Sequence, residues 1–177
     1  MRKFLFLDID GVLNSDEYFN EHHYLDNVKT LIKNGMDREI AAYVGYIDPS
    51  KVELINKITV PTITKIVLSS SWRTCVKIKE ILKAAGIIRP LYDVTPYTTS
   101  RNRGQEIQDW LNRHADPEDT YLIIDDDNDI LNSQTNHLVQ TDWRYGLLEE
   151  QVEECLSILN NPLCNVGGDG RVVYFDE

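Results

Sequence analysis

Cysteine is scarce in this chain of 177 residues. There are three, Cys75, Cys155 and Cys164, an odd number with no Cys-x-x-Cys pair. That argues against a disulfide framework and a cysteine-built zinc site, and it points to a reducing compartment, the cytoplasm. No apolar run approaches the roughly 18 residues that a membrane span needs, so no membrane association is expected. Arg2 and Lys3 precede only four apolar residues before Asp8, which makes a secretory leader unexpected as well. Basic residues are nearly missing from the second part. Residues 105–177 hold 17 Asp/Glu against Arg113, Arg144 and Arg171, whereas residues 1–104 carry 15 Lys/Arg and 12 Asp/Glu. With a net charge of −11, such a surface repels long nucleic acid, so no extended nucleic-acid groove is expected and any such contact is local to the first part. Internal repeats and low-complexity segments are absent. The Gly-Gly-Asp-Gly run at residues 167–170 lacks the Lys-Ser/Thr that would make it a P-loop.

What is present is a soluble composition, 42% apolar and 27% charged, in a length that suits one domain. Strand-like and helix-like patterns alternate, which predicts an α/β fold: a Rossmann-like, doubly wound parallel sheet with crossover helices. The expected strands are Lys3–Leu7, Thr64–Leu68, Tyr92–Val94, Tyr121–Ile124 and His137–Val139. The expected helices are Lys51–Ile58, Thr74–Ala85, Arg103–His114 and Leu147–Asn160. More than 50 residues separate the first two strands, far beyond the dozen a crossover helix needs. The surplus, residues 15–48, is expected to form a small cap-like insertion over the end of the sheet. Residues 161–177 read as a loop or hairpin tail.

The chemistry gathers at strand ends. The first strand runs into Asp8-Ile9-Asp10-Gly11. In an extended chain, residues two apart point the same way, so both carboxylates project together, and Gly11 permits a sharp turn. Two ionised acids so close repel unless a cation compensates, and a hard divalent ion such as Mg²⁺ suits oxygen ligands. A second apolar strand ends in Asp125-Asp126-Asp127, with Asp129 close behind. Ligands of open parallel sheets bind at the carboxyl ends of strands, so these two acidic ends build one metal site if the strands are neighbours.

A third strand ends in Ser69-Ser70-Ser71, followed by Trp72-Arg73. A hydroxyl there either caps the following helix or donates to a phosphate oxygen. Trp72 reads as packing. Arg103 opens an expected helix, where a positive charge opposes the helix dipole. A cation in that place implies an anionic partner, either the carboxylates or a phosphate. Arg73 and Arg101 are further candidates for phosphate recognition. Lys65 and the aromatics Tyr18, Phe19, Tyr24 and Tyr43 are candidates for a local recognition surface.

Together these segments resemble the haloacid dehalogenase (HAD) superfamily. "FLFLDIDGV", "IVLSSSWR", Arg103 at a helix start and "LIIDDD" correspond in order to its four motifs. The set "DIDGVLNS", "VLSSSWR", "RGQEIQDWL" and "IIDDD" is further similar to the HAD domains of Swiss-army-knife RNA-repair proteins. The resemblance implies a Mg²⁺-dependent phosphatase with Asp8 as nucleophile and Asp10 as the acid that protonates the leaving oxygen and later activates water. Asp10 also lends its backbone carbonyl to the metal. Asp125 and Asp126 hold Mg²⁺ with Asp8, and Asp129 helps. Ser69 or Ser70 binds the phosphate; Arg103 neutralises it. The expected substrate is a phosphorylated nucleotide or nucleic-acid end. The alternatives are a sugar or other metabolite phosphate, and a receiver-like module that only accepts a phosphoryl group.

Overall fold

The computed structural model describes residues 1–98 and 102–161. The chain opens with β1 (Lys3–Leu7) and passes through three short helices, α1 (Asp16–Glu21), α2 (Tyr24–Lys33) and α3 (Arg38–Val44). It continues as α4 (Pro49–Thr62), β2 (Lys65–Leu68), α5 (Ile78–Ala84), β3 (Leu91–Val94), α6 (Arg103–His114), β4 (Thr120–Asp125), β5 (Leu138–Gln140) and α7 (Val152–Asn160). The five strands pair in the order β3-β2-β1-β4-β5, all parallel. The α/β class and its parallel sheet are therefore as the alternating pattern predicts.

Strands covered on both faces must be apolar throughout, and β1 is: Phe4, Leu5, Phe6 and Leu7 are all fully buried. Its side chains alternate between two cores. Leu5 and Leu7 join Leu68, Ile124 and residues of α4, α5 and α7, including Ile55, Ile81 and Leu159. Phe4 and Phe6 face α6, where Trp110 meets their rings edge-on at 5.0 and 5.4 Å. The buried indole N–H of Trp110 donates to Asp93 at 2.8 Å, so its polar atom is satisfied.

Helix ends differ from expectation where local chemistry intervenes. Asp48 caps α4 through the Ser50 amide, with Pro49 in the first turn. The helix runs on through Pro61 and stops at Ile63 in the left-handed conformation, φ 57°. The segment expected to be one helix from Thr74 instead begins as a 3₁₀ turn, Ser71–Thr74, before α5. Another 3₁₀ turn, Glu149–Gln151, precedes α7.

Within the expected insertion, α1 and α2 have no fully buried residue, while α3 buries Ala41 and Val44. Its aromatics largely satisfy one another: Tyr24 stacks on Tyr46 at 4.1 Å, and Phe19 meets Tyr46 edge-on. Lys77 ties the start of α3 to the chain before α5 through Glu39 at 2.7 Å. Among the described residues no helix is long and apolar enough to cross a membrane. Arg101 and the Gly-Gly-Asp-Gly segment lie outside the described residues.

Candidate active site

Adjacent pairing of β1 with β4 places Leu7 beside Ile124, so the next residues, Asp8 and Asp125, leave the sheet side by side. Carboxylate oxygens of Asp8, Asp125 and Asp126 lie within 4.8 Å of one another. Asp8 and Asp125 are buried. Arg103, the first residue of α6, reaches into this group, with Nη1 2.5 Å from Asp125 Oδ2 and 3.2 Å from Asp8 Oδ2. Its own backbone N–H donates to Asp129 Oδ2 at 3.2 Å. Three carboxylates against one guanidinium leave a net charge of about −2 when all are ionised, in a partly dehydrated place.

That imbalance registers in the titration of the groups. Burial, then the charge of Asp8, pushes the Asp125 carboxyl up to about 7, against the lowering effect of Arg103. Burial and Asp8 also raise Asp126. Burial alone would lower Arg103, but Asp8 and Asp125 outweigh it and hold the guanidinium above its ordinary value. A set of hard oxygen donors short of positive charge could hold a divalent ion such as Mg²⁺.

Two glycines make the approach possible. Gly11 has φ +69°, and a Cβ there would collide with the Asp126 side chain. Its carbonyl accepts from Thr141 Oγ1 at 2.7 Å, which links the turn after β1 to the loop after β5. At Gly104 a Cβ would strike the backbone of Ile130 and Leu131. Only a glycine lets α6 press its first turn against the loop after β4, and that contact sets where Arg103 starts. Gln134 reinforces it, donating to the Gly104 carbonyl at 3.0 Å and accepting from Leu131 N–H at 3.0 Å.

Asp10 is placed differently from the extended-chain expectation. The chain turns immediately after Asp8, with Val12 and Leu13 amides bonding back to the Ile9 carbonyl. The Asp10 carboxylate therefore stands outside the three-carboxylate group. Oδ1 accepts from Asn14 Nδ2 at 2.9 Å, and Oδ2 accepts from the Trp72 indole at 3.0 Å. Period-two reasoning fails here because the chain does not stay extended from Asp8 through Ile9 to Asp10.

The two serine candidates also separate. Ser70 Oγ accepts from the Trp72 amide at 3.3 Å and caps the 3₁₀ turn. Ser69 follows Leu68, the partner of Leu7, so it emerges next to Asp8. Its hydroxyl is buried with no hydrogen-bond partner. An unsatisfied buried hydroxyl is costly, and an anionic oxygen beside Asp8 would relieve it.

Arg73 turns inward. Its Nη2 lies 2.6 Å from Glu106, both side chains being about 95% buried, while Nη1 donates to the Ser69 and Ser70 carbonyls at 2.5 and 3.1 Å. Tyr97 covers it, its ring centroid 3.9 Å from the guanidinium carbon. The guanidinium braces the turn after β2 against α6 instead of facing a ligand. No local pattern announces this, because its partner, Glu106, looks like an ordinary helix-surface acid. Lys65 lies over Tyr92 at 4.2 Å, at the opposite end of β2 from the serines. Concavities of about 530 and 210 Å³ lie along α4 and the preceding helices, lined by residues such as Glu17, His22, Lys51, Leu31 and Ile47. Neither contains a member of the carboxylate group.

Carboxylates from β1 and β4, a hydroxyl from β2 and a cation from the intervening helix, at one end of a parallel sheet, define a HAD-type domain. Residues 4–152 match the family model described as the HAD domain in Swiss Army Knife RNA repair proteins, and the chain belongs to that family. No curated protein and no solved structure matches it. The membership points to a hydrolase of the phosphatase type.

Proposed function

We propose that this protein is a Mg²⁺-dependent phosphomonoester hydrolase that works through an aspartyl-phosphate on Asp8. The observation that carries the reading is the convergence of Asp8, Asp125 and Asp126 within 4.8 Å, bridged by Arg103. Asp8, Asp125 and Asp126 are the residues that would hold the metal, together with the Asp10 carbonyl. The bound ion supplies charge compensation between an anionic nucleophile and an anionic phosphoryl group.

In the first step an Asp8 oxygen attacks phosphorus, the ester P–O bond breaks, and Asp10 gives its proton to the departing alkoxide. In the second, Asp10 takes a proton from water. The hydroxide attacks phosphorus, the Asp8 P–O bond breaks, and inorganic phosphate and free Asp8 carboxylate result. The Ser69 hydroxyl donates to a phosphoryl oxygen, and Arg103 offsets its charge. Splitting one displacement into two is the usual benefit of covalent catalysis, and fixed donors act where charge develops.

The substrate we favour is a phosphate on a nucleotide or nucleic-acid end, in keeping with the family's description. Exposed Tyr97 and Trp143 support it, because each follows a strand at the sheet's carboxyl end and offers a face on which a base can stack. The free thiols of Cys75 and Cys155 support a cytoplasmic setting. The test is phosphate release, with and without Mg²⁺, from a panel of nucleotides, end-phosphorylated oligonucleotides and sugar phosphates. The favoured outcome is metal-dependent turnover, fastest on the nucleotide or oligonucleotide members and abolished by Asp8→Asn. Preference for a sugar phosphate would make the protein a metabolite phosphatase. A single stoichiometric phosphorylation without turnover would identify a receiver-like phosphoacceptor.

A further inference from the structure

The Asp10 carboxylate is held by two neutral side-chain donors, one on each oxygen, and the way it is held is specific. We infer that Trp72 and Asn14 are positioning residues for Asp10 in leaving-group protonation, and that Tyr43 steadies Trp72 for this purpose. The inference rests on reading Asp10 as the acid.

Asn14 has no freedom to flip. Its Oδ1 accepts the Gly11 N–H at 2.9 Å, so Nδ2 must be the atom that faces Asp10 Oδ1 at 2.9 Å. The Trp72 indole is a donor only, so its 3.0 Å contact with Oδ2 can run in one direction. The indole is held from two sides: its backbone N–H by the Ser70 hydroxyl, and its ring by Tyr43 of α3, edge-on at 5.2 Å and 70°. The two donors keep the Asp10 carboxylate from swinging into the group formed by Asp8, Asp125 and Asp126. An acid captured by that group would no longer reach the leaving oxygen. Through Trp72, Tyr43 also ties the helices between β1 and β2 to the site.

General acid–base catalysis is worth about 10²–10⁴ in rate, and its benefit depends on geometry and on how poor the leaving group is. An aliphatic alkoxide needs its proton during bond cleavage; p-nitrophenolate scarcely does. Because kcat/KM reports steps only through formation of the aspartyl-phosphate, comparing it between the two substrate types isolates Asp10's role as acid from its later role toward water.

The experiment measures kcat/KM for p-nitrophenyl phosphate and for the aliphatic phosphate monoester that the wild type turns over fastest, in wild type and Trp72→Phe. Phe keeps a ring against Tyr43 and removes only the indole donor. The expected result is a fall of about tenfold in the aliphatic-to-aryl ratio of kcat/KM. Tyr43→Leu, which keeps the indole but frees it, lowers the same ratio by less and serves if Trp72→Phe does not fold. A ratio unchanged in a folded variant, with both substrates losing equally or not at all, overturns the assignment while leaving the phosphatase reading intact. A wild type that releases phosphate from neither substrate overturns both.

Discussion

Asp8→Asn should stabilise the metal-free protein while destroying its chemistry, and the size of the gain follows from distances. Asp8 stands within 4.8 Å of two other carboxylates. At an effective dielectric of about 20 each such pair repels by at least about 3.5 kcal/mol. Against this, Asp8 attracts Arg103 across 3.2 Å, worth about 5 kcal/mol at the same dielectric. With all three acids ionised the repulsions exceed the attraction by about 2 kcal/mol. Asn keeps the oxygen that accepts the Ile9 N–H at 2.8 Å, so little else changes. The sign depends on pH. The folded-state pKa of Asp125 is raised to about 7 from 3.8. Its contribution to stability is therefore fully present below about 4 and is lost as pH rises through about 7. At pH 5.5 Asp125 is largely protonated, one repulsion is gone, and the attraction to Arg103 dominates. Asp8→Asn should then destabilise. Urea denaturation in EDTA should show the variant more stable by about 2 kcal/mol at pH 8, a shift of roughly 4–8 °C in Tm, and less stable at pH 5.5. Mg²⁺ at pH 8 should stabilise wild type more than the variant. A variant less stable than wild type at pH 8 in EDTA would refute the claim that three carboxylates converge on one guanidinium with charge to spare.

Gly104→Ala sets two effects against each other: Ala favours a helix by about 1 kcal/mol, but its Cβ would overlap Ile130 and Leu131 backbone. Overpacking of about 1–3 kcal/mol should win, so the variant should unfold at lower urea and lose turnover as Arg103 shifts. Glu106→Gln leaves Arg73 buried without its counter-charge, and the loss should be about 3 kcal/mol by urea denaturation; a loss below about 1 kcal/mol would mean the pair is not buried as described. Ile63 is a β-branched residue at φ 57° with 68% of its surface exposed. Ile63→Gly should raise stability by about 0.5–1 kcal/mol, measured the same way, because relief of the left-handed conformation outweighs the added freedom of the unfolded chain.

The parts of this structure legible in the sequence are those fixed by local pattern. Apolar runs ending in acids or serines located β1, β2 and β4, and Arg103–His114 has the bounds its pattern predicts. The pairing of β1 with β4 was expected only conditionally, since no local signal states which strands are neighbours. What escaped was decided by contacts between distant residues. Arg73 looked available because its buried partner lies 33 positions away. Trp72 read as packing because nothing in Ser-Ser-Trp-Arg announces an acid 62 positions earlier. Asn14 is the instructive case, since it is only four residues from Asp10. Its role needed the knowledge that the chain turns at Ile9, and a strand pattern continued through Asp10 conceals that turn.

The same turn explains why two acids one residue apart can do different work. Had the strand continued through Asp10, its carboxylate would have joined a group already carrying a net charge of about −2, and repulsion would have grown. By turning after Asp8, with Gly11 in the left-handed region, the chain gives each acid its own surroundings. Asp8 meets other carboxylates and a guanidinium; Asp10 meets an amide and an indole. Charged neighbours suit a group that must stay ionised to attack and to share a cation. Neutral donors hold an acid in place without tying it to the charges beside it. In the proposed mechanism the separation of nucleophile from proton carrier is therefore a consequence of where one strand stops.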